Sequence, residues 1–131
     1  MPLHSKNKGG RGERQVAEIL REHGFNAWRG QQFKGTEDSP DVECPDLSDF
    51  HIECKFVERF SLYPAMDQAQ EDAPNKIPLV IHRRKRKPWV AVLPLSDFLD
   101  LCIKAGYEPT LAADTSAPAA PEALPSSPTD P

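Results

Sequence analysis

The stretch "PDVECPDLSDFHIECK", from Pro40 to Lys55, contains two strand-like segments separated by a turn. "DVECP" is a short strand candidate that Pro45 ends, "DLSD" has the composition of a turn, and "FHIECKFV" otherwise reads as a buried strand. The stretch therefore predicts a β-hairpin. Its charges are unexpected, because burying an ionised Asp41, Glu53 or Lys55 costs on the order of several kcal/mol unless the charge is paired or bound to a metal.

The patterns on either side of this hairpin predict an α/β fold. "GERQVAEILREHGF" has apolar residues at helical spacing and Gly24 at the position of a C-terminal cap, and "FNAWR" then alternates as a strand does. "GQQFKGTEDSP" has the composition of an exposed loop. After the hairpin come a helix in "YPAMDQAQEDA", a second hairpin from "IPLVIHR" and "WVAVLPL", and a helix in "LSDFLDLCIKAG" with Ser96 as N-cap and Gly106 as C-cap. The predicted order is helix, three strands, helix, two strands, helix.

Composition predicts one domain with a tail. The 131 residues suffice for one modest core, assigned to residues 1–106, whereas residues 107–131 are rich in proline and alanine and are expected to be disordered. The net charge of −4 comes from four acids in this tail, because residues 1–106 carry 16 basic and 16 acidic groups. No apolar run is long enough for a membrane helix or resembles a signal peptide, so we expect a soluble, cytoplasmic protein.

Three cysteines are present, Cys44, Cys54 and Cys102, and none of them forms a C-x-x-C pair. An odd number without this spacing argues against a disulfide framework and a zinc ribbon, so reduced thiols are expected. A zinc site made by Cys44, His51 and Cys54 is an alternative, although its spacing fits no standard pattern.

The charged residues of the hairpin predict a cation site. Alternate side chains of a strand share a face, so Glu53 and Lys55 point the same way. If the strand that carries Asp41 pairs with this one, the two carboxylates approach each other and repel unless a cation lies between them. Mg²⁺ is the expected cation because it prefers carboxylate and carbonyl oxygen, and the Cys54 carbonyl is a candidate third ligand. A lysine beside the metal suits phosphodiester hydrolysis, because it can orient an attacking water or stabilise the pentavalent phosphate.

These residues carry a resemblance to a known family. The pattern of Pro40, Asp41, Glu53 and Lys55 resembles the signature of the PD-(D/E)XK nuclease superfamily. "KGGRGERQVAEILREHGF" looks like the first helix of archaeal and phage Holliday-junction resolvases, and "QAQEDAPNKIPLVIHRRKRKPWVAVLPLSDF" resembles phage resolvase-like nucleases. The resemblance covers roughly residues 5–103. It implies a restriction-endonuclease-like core, with a central mixed five-stranded sheet flanked by helices.

The resemblance also implies roles for individual residues. Glu13, Asp41 and Glu53 would be the metal-site acids and Lys55 the catalytic lysine, with Mg²⁺ as cofactor and Mn²⁺ as its substitute. Gln68 would be the helix glutamine that supports such sites.

Several supporting positions stay open in the sequence. Gln70 is the alternative to Gln68, and either Thr36 or Ser39 could supply the loop hydroxyl that such resolvases often have. Glu43 alternates onto the face of Asp41 and is interpreted as an exposed strand acid rather than a further ligand.

Clustered basic residues are candidate phosphate contacts. Those near the start of the chain would form an arm that orders on DNA, and those in "RRKRK" would either bind phosphate or form a solvated turn. The predicted DNA-binding residues are Lys6, Lys8, Arg11, Arg14, Lys34, Arg83, Arg84, Lys85, Arg86 and Lys87.

Two tryptophans and two histidines of the predicted strands have less specific sequence patterns. Trp28 and Trp89 are predicted to pack in the core, with stacking on bases as the alternative. His51 and His82 are predicted to be structural, hydrogen-bonded histidines outside the site.

The resemblance thus implies a phage Holliday-junction resolvase, active in recombination and repair as a homodimer on branched DNA in the host cytoplasm. A restriction- or repair-type nuclease would use the same chemistry on another substrate. A non-catalytic DNA-binding module is the alternative from a different class.

Overall fold

A computed structural model of the protein describes residues 2–30 and 40–111, with the backbone alone for residues 2–8. The helices are α1 (Pro2–Glu22), α2 (Leu62–Asp72) and α3 (Leu95–Lys104). The strands are β1 (Trp28–Arg29), β2 (Val42–Glu43), β3 (Phe50–Phe56), β4 (Ile77–Arg83) and β5 (Val90–Val92). This order confirms the element sequence predicted above, and a short 3₁₀ helix (Pro45–Leu47) lies in the turn of the first hairpin.

In the described part of the chain the strands form one mixed sheet in the order β1-β2-β3-β4-β5. Strands β3 and β4 are parallel, and the other neighbouring pairs are antiparallel. Val42 pairs with Ile52 in the first hairpin, and Val80 pairs with Val92 in the second, so both predicted hairpins form. The parallel pair joins the hairpins through α2, as a crossover connection requires.

The two faces of β3 carry different side chains. Ile52 and Cys54 are buried with Val16 and Ala17 of α1 on one face. The other face belongs to α2, whose buried alanines pack on Val80, the residue that pairs with Glu53. His51, Glu53 and Lys55 alternate with the apolar set and therefore lie on the α2 face.

Helix α1 begins earlier than predicted. It starts at Pro2, so the backbone at Lys6, Lys8 and Arg11 is helical rather than an irregular arm. Glycines inside a helix cost roughly 0.5–1 kcal/mol each relative to alanine, which is why the sequence placed the helix start after them. Gly12 offsets this cost by close packing, because a Cβ there would lie 2.9 Å from Phe56 Cβ. Glu13 is therefore an interior residue of α1, more than two turns from its start.

The predicted N-cap of α3 also needs correction. The Phe98 N–H donates to the Pro94 carbonyl, so Pro94 precedes the helix and Ser96 lies within its first turn. Gly106 does end the helix, with a φ of 110° and with the Tyr107 N–H donating to the Cys102 carbonyl. Gly24, with a φ of 94°, likewise follows the end of α1.

The chain divides into two compact units, residues 1–98 and residues 99–131. The sheet, α1 and α2 belong to the first unit. The predicted domain limit at residue 106 stays a prediction, and residues 112–131 of the predicted tail lie outside the described part. Among the residues that the structure describes, no helix has the length and hydropathy to cross a bilayer.

Candidate active site

Asp41 is held at the start of the first hairpin by backbone contacts. Its N–H donates to the Ile52 carbonyl at 3.0 Å, and its Oδ2 accepts a hydrogen bond from the Cys54 N–H at 2.8 Å. On the other side, the Gly30 N–H donates to the Asp41 carbonyl at 2.8 Å. Only glycine fits there, because a Cβ on Gly30 would lie 2.0 Å from the Pro40 carbonyl oxygen. The hairpin and β1 therefore fix the carboxylate beside β3.

Asp41, Glu53 and Glu13 are close enough for their charges to interact. Burial raises the pKa of Asp41 from 3.8 to about 7, with further contributions from the charge of Glu53, from a hydrogen bond with its side chain and from the charge of Glu13. Glu13 and Glu53 are themselves buried, with 8% and 6% exposure. Three crowded carboxyl groups are a hard oxygen donor set, whose repulsion a divalent cation relieves. The residues present therefore fit a metal ion of the magnesium type.

Glu13 has a cationic partner that the sequence analysis missed. The Arg29 Nε–H donates to Glu13 Oε1 at 2.6 Å, so an ion pair joins β1 to α1 beside the acids. A buried carboxylate without such a partner would be strongly destabilising. The sequence offered one indication of this partner, because "FNAWR" was predicted as a strand. In the structure this strand, β1, pairs with β2 of the hairpin, and Arg29 lies opposite Val42.

His51 lies against Glu53, although the sequence analysis left it out of the site. Its Nε2 is 2.7 Å from Glu53 Oε2, and the histidine is 3% exposed. Asp72, at the end of α2, approaches the same pair, and one donor atom from each of the three residues lies within 4.8 Å of the others. The i, i+2 spacing of His51 and Glu53 on one strand face was the available signal.

Lys55 shares this strand face and is partly buried. It borders a cleft of about 320 Å³ together with Phe60, Ser61 and Ala65 near the start of α2. The Lys55 carbonyl accepts a hydrogen bond from His82 Nδ1 at 2.9 Å. His82 thus braces the backbone of the lysine position, which agrees with its predicted structural role.

Of the two candidate glutamines, Gln68 connects to the site. Its Nε2 donates to Asp72 Oδ1 at 3.0 Å, whereas Gln70 donates to the Pro74 carbonyl at 3.4 Å. Glu43 is partly buried on β2, and in the described ranges it does not join the group of residues with metal-ligand spacing. Thr36 and Ser39 lie outside the described residues.

The alternative zinc site is wrong. Cys44 and Cys54 are buried in the core on the α1 face, whereas His51 lies on the opposite face of β3. All three cysteines are free thiols, as predicted. The Cys54 carbonyl suits its predicted metal role, because the N–H and C=O of a strand residue point to the same side and its N–H points to Asp41.

The predicted DNA-binding residues differ in their surroundings. Arg84, Lys85, Arg86 and Lys87 are exposed in the turn between β4 and β5, and Arg11 and Arg14 are exposed on α1. The side chains of Lys6, Lys8 and Lys34 lie outside the described residues. Arg84 and Lys87 also line a cleft of about 430 Å³ with His82 and Phe60.

Arg83 is enclosed rather than exposed. Its guanidinium lies 4.7 Å from the centre of the Phe56 ring and 5.6 Å from that of Trp89, and it donates to Gln15 Oε1 at 3.3 Å. Trp89 therefore packs against the core as predicted. Trp28 is 45% exposed, so the prediction that it is a core residue is wrong.

An acid-lined hairpin in a mixed sheet between helices, with a lysine two residues after the second acid, defines the PD-(D/E)XK class of nucleases. The fold is similar to that of Hjc, a Holliday junction resolvase from the archaeal hyperthermophile Archaeoglobus fulgidus. The TM-score is 0.50 and the identity 23%, and the match covers 66% of this chain and 75% of that chain. At this identity the likeness shows a shared restriction-endonuclease-like fold.

Residues 4–116 match the family model described as "Phage putative PDDEXK endonuclease". The chain therefore belongs to this family of phage PD-(D/E)XK endonucleases. No curated protein sequence matches it.

Proposed function

We propose that this protein is a Mg²⁺-dependent endonuclease that cuts four-way DNA junctions, as a phage Holliday-junction resolvase does. The observation that carries the proposal is the group of Glu13, Asp41 and Glu53, buried around the hairpin with Lys55 on the same strand. Burying three acids is unfavourable for a scaffold, and it is useful for a site that binds a cation.

The metal ligands in this proposal are Asp41, Glu53, the Cys54 carbonyl and Glu13. When bound, Mg²⁺ would supply Lewis-acid activation of the phosphate and of a water molecule, and Mn²⁺ would substitute for it. Arg29 holds Glu13 in position through their ion pair.

The chain's own residues then position the substrate and the nucleophile. Lys55 projects from the strand face of Glu53 toward the cleft, where its ammonium orients the attacking water and stabilises the charge that develops on the phosphate. Gln68 acts through Asp72, whose carboxylate it holds near Glu53. The exposed basic turn Arg84–Lys87 contacts the DNA backbone and gives binding a steep dependence on salt.

A homodimer is part of the proposal, because paired cuts across a junction need two sites related by two-fold symmetry. Its support is α3, which has no buried residue and exposes Leu95 (71%) and Phe98 (48%). Leu95→Glu should convert dimer to monomer in analytical ultracentrifugation, whereas a wild-type chain that sediments as a monomer would refute this part.

The substrate is tested with labelled four-way junction, linear duplex and single strand, each with Mg²⁺ or EDTA. We expect symmetrical nicks in the junction alone, and only with the metal. Cleavage of plain duplex would instead indicate a restriction- or repair-type nuclease, and tight binding without product would indicate a non-catalytic module.

The matched variants are Glu53→Gln and Glu18→Gln, since Glu18 is an exposed acid of α1. Glu53→Gln should abolish cutting and leave junction binding within a few-fold of wild type. Glu18→Gln should cut normally. Normal cutting by Glu53→Gln would show that the site assignment is wrong.

A further inference from the structure

A second group of metal-ligating side chains lies beside the site proposed above. We propose that His51, Glu53 and Asp72 form a second divalent-cation position that prefers Mn²⁺ over Mg²⁺. Glu53 would be shared between this position and the one at Asp41 and Glu13. The first position belongs to the proposed function, and the inference rests on it in that respect.

The spacing of the three residues suits one cation. His51 Nε2 and Glu53 Oε2 are 2.7 Å apart, and a donor atom of Asp72 lies within 4.8 Å of both residues' donors. Ligands that occupy neighbouring corners around a cation at about 2.1 Å are roughly 3 Å apart. The hydrogen bond between His51 and Glu53 therefore spans two atoms that already have nearly the spacing of ligands to one cation.

The three residues come from two elements that the fold holds together. His51 and Glu53 are buried on β3, and Asp72 is partly buried in the last turn of α2. The Gln68 Nε2 donates to Asp72 Oδ1, which fixes the orientation of the carboxylate. Metal ligands are commonly oriented by such outer hydrogen bonds, so Gln68 has a defined part in this site.

The donor set determines which cation is preferred. Mg²⁺ favours oxygen ligands and keeps several waters, whereas imidazole nitrogen suits transition metals. Mn²⁺ is the transition metal of this group that also favours carboxylate oxygen, so a site with two carboxylates and one imidazole suits it better than Mg²⁺. Asp41 and Glu13 offer oxygen ligands beside Glu53, whereas the group with His51 and Asp72 offers nitrogen as well. We therefore expect two positions with different selectivity that share one carboxylate.

The test is a Mn²⁺ titration of the full chain followed by electron paramagnetic resonance, with and without excess Mg²⁺. Wild type should bind two Mn²⁺ per chain, and excess Mg²⁺ should displace one of them. Asp72→Asn should lose the Mg²⁺-resistant ion or weaken its binding by more than about 10-fold. Asp67→Asn, an exposed acid on the same helix, should bind both ions.

A second readout reports the imidazole directly. Electron spin echo modulation should show a nitrogen coupled to the bound Mn²⁺ in wild type, and His51→Gln should abolish it. Two ions bound to Asp72→Asn with wild-type affinity, a single ion in wild type or the absence of nitrogen coupling would each overturn the inference. If His51→Gln does not fold, Asp72→Asn decides the outcome, because its side chain is less buried.

Failure of this inference is distinguishable from failure of the proposed function. Suppose that the protein cleaves the junction and binds one ion, which Asp41→Asn removes. This result would refute the second cation position and leave the nuclease proposal intact. Two bound ions without cleavage of any DNA would refute the nuclease proposal and leave the second cation position intact.

Discussion

Arg29 and Glu13 form a 2.6 Å ion pair that ties the edge of the sheet to α1 beside the candidate metal ligands. The arginine side chain is 48% exposed, whereas that of Glu13 is 11% exposed. Solvent screens the attraction on the arginine side, so the ion pair itself is weak. Its main contribution is to give the buried Glu13 carboxylate a counter-charge. A bound cation would also compensate the charge of Glu13, so the stability of the protein should depend on whether metal is bound.

Arg29→Met should lower the free energy of unfolding by about 1–2 kcal/mol in EDTA, because Glu13 then lacks a counter-charge. Adding Mg²⁺ should recover part of the loss. The measurement is urea denaturation followed by circular dichroism. Glu13→Gln combined with Arg29→Met should restore stability relative to Arg29→Met alone, and a strictly additive double variant would argue against the coupling.

Asp41→Asn should stabilise the metal-free protein at high pH and have no such effect at low pH. The folded state holds a proton on Asp41 up to about pH 7, whereas the unfolded chain releases it near pH 3.8. Through this group, the free energy of unfolding therefore falls as pH rises between these values.

At pH 8 in EDTA we expect the asparagine variant to be more stable by on the order of 1–3 kcal/mol, measured by thermal unfolding. At pH 4 the gap should close. Excess Mg²⁺ should stabilise wild type and have little effect on Asp41→Asn. An equal gap at both pH values would show that the pKa of Asp41 is not raised in the folded protein.

Gly12→Ala should destabilise the protein by about 1–3 kcal/mol, because the added methyl group would lie 2.9 Å from Phe56 Cβ and 3.3 Å from the Trp89 ring. Gly9→Ala is the matched control, since nothing lies within 4 Å of its Cβ. That variant should gain roughly 0.5–1 kcal/mol from higher helix propensity. Urea denaturation of both variants measures the difference in the free energy of unfolding. Equal effects would contradict the close packing of Gly12 against Phe56.

One thiol of three should react quickly with Ellman's reagent in the native protein. Burial raises the pKa of Cys54 and of Cys44, and the nearby Asp41 carboxylate raises that of Cys54 further, so neither forms the reactive thiolate readily. Cys102 is partly exposed. Cys102→Ser should remove the fast phase, and guanidinium should expose all of the remaining thiols. A second fast thiol in the native state would contradict the burial of these two cysteines.

The sequence predicted most of the elements because their patterns are local. The alternation in "FHIECKF" assigned His51, Glu53 and Lys55 to one face, and the pairing of β2 with β3 brought Asp41 to Glu53. The start of α1 was missed because the close contact of Gly12 with Phe56 is a tertiary effect that offsets low helix propensity. Propensity alone cannot show which glycines face a neighbouring strand.

The partners of the acids were harder to predict than the acids. Arg29 is 16 residues from Glu13 in the chain, and Asp72 is 19 residues from Glu53, so only the assembled sheet and helices bring each pair together. His51 was assigned a structural role because a single strand histidine has no specific pattern. Its contact with Glu53 depends on side-chain direction, which the sequence indicates only after the strand is known.

The hydrogen bond from Gly30 to Asp41 has a consequence for which insertions the chain tolerates. It holds Asp41 at the sheet edge through a contact that does not involve residues 31–39. Lengthening a closed segment two-fold costs only about 0.6 kcal/mol in closure entropy. Insertions between Gly30 and Pro40 should therefore cost little stability as long as this hydrogen bond is kept.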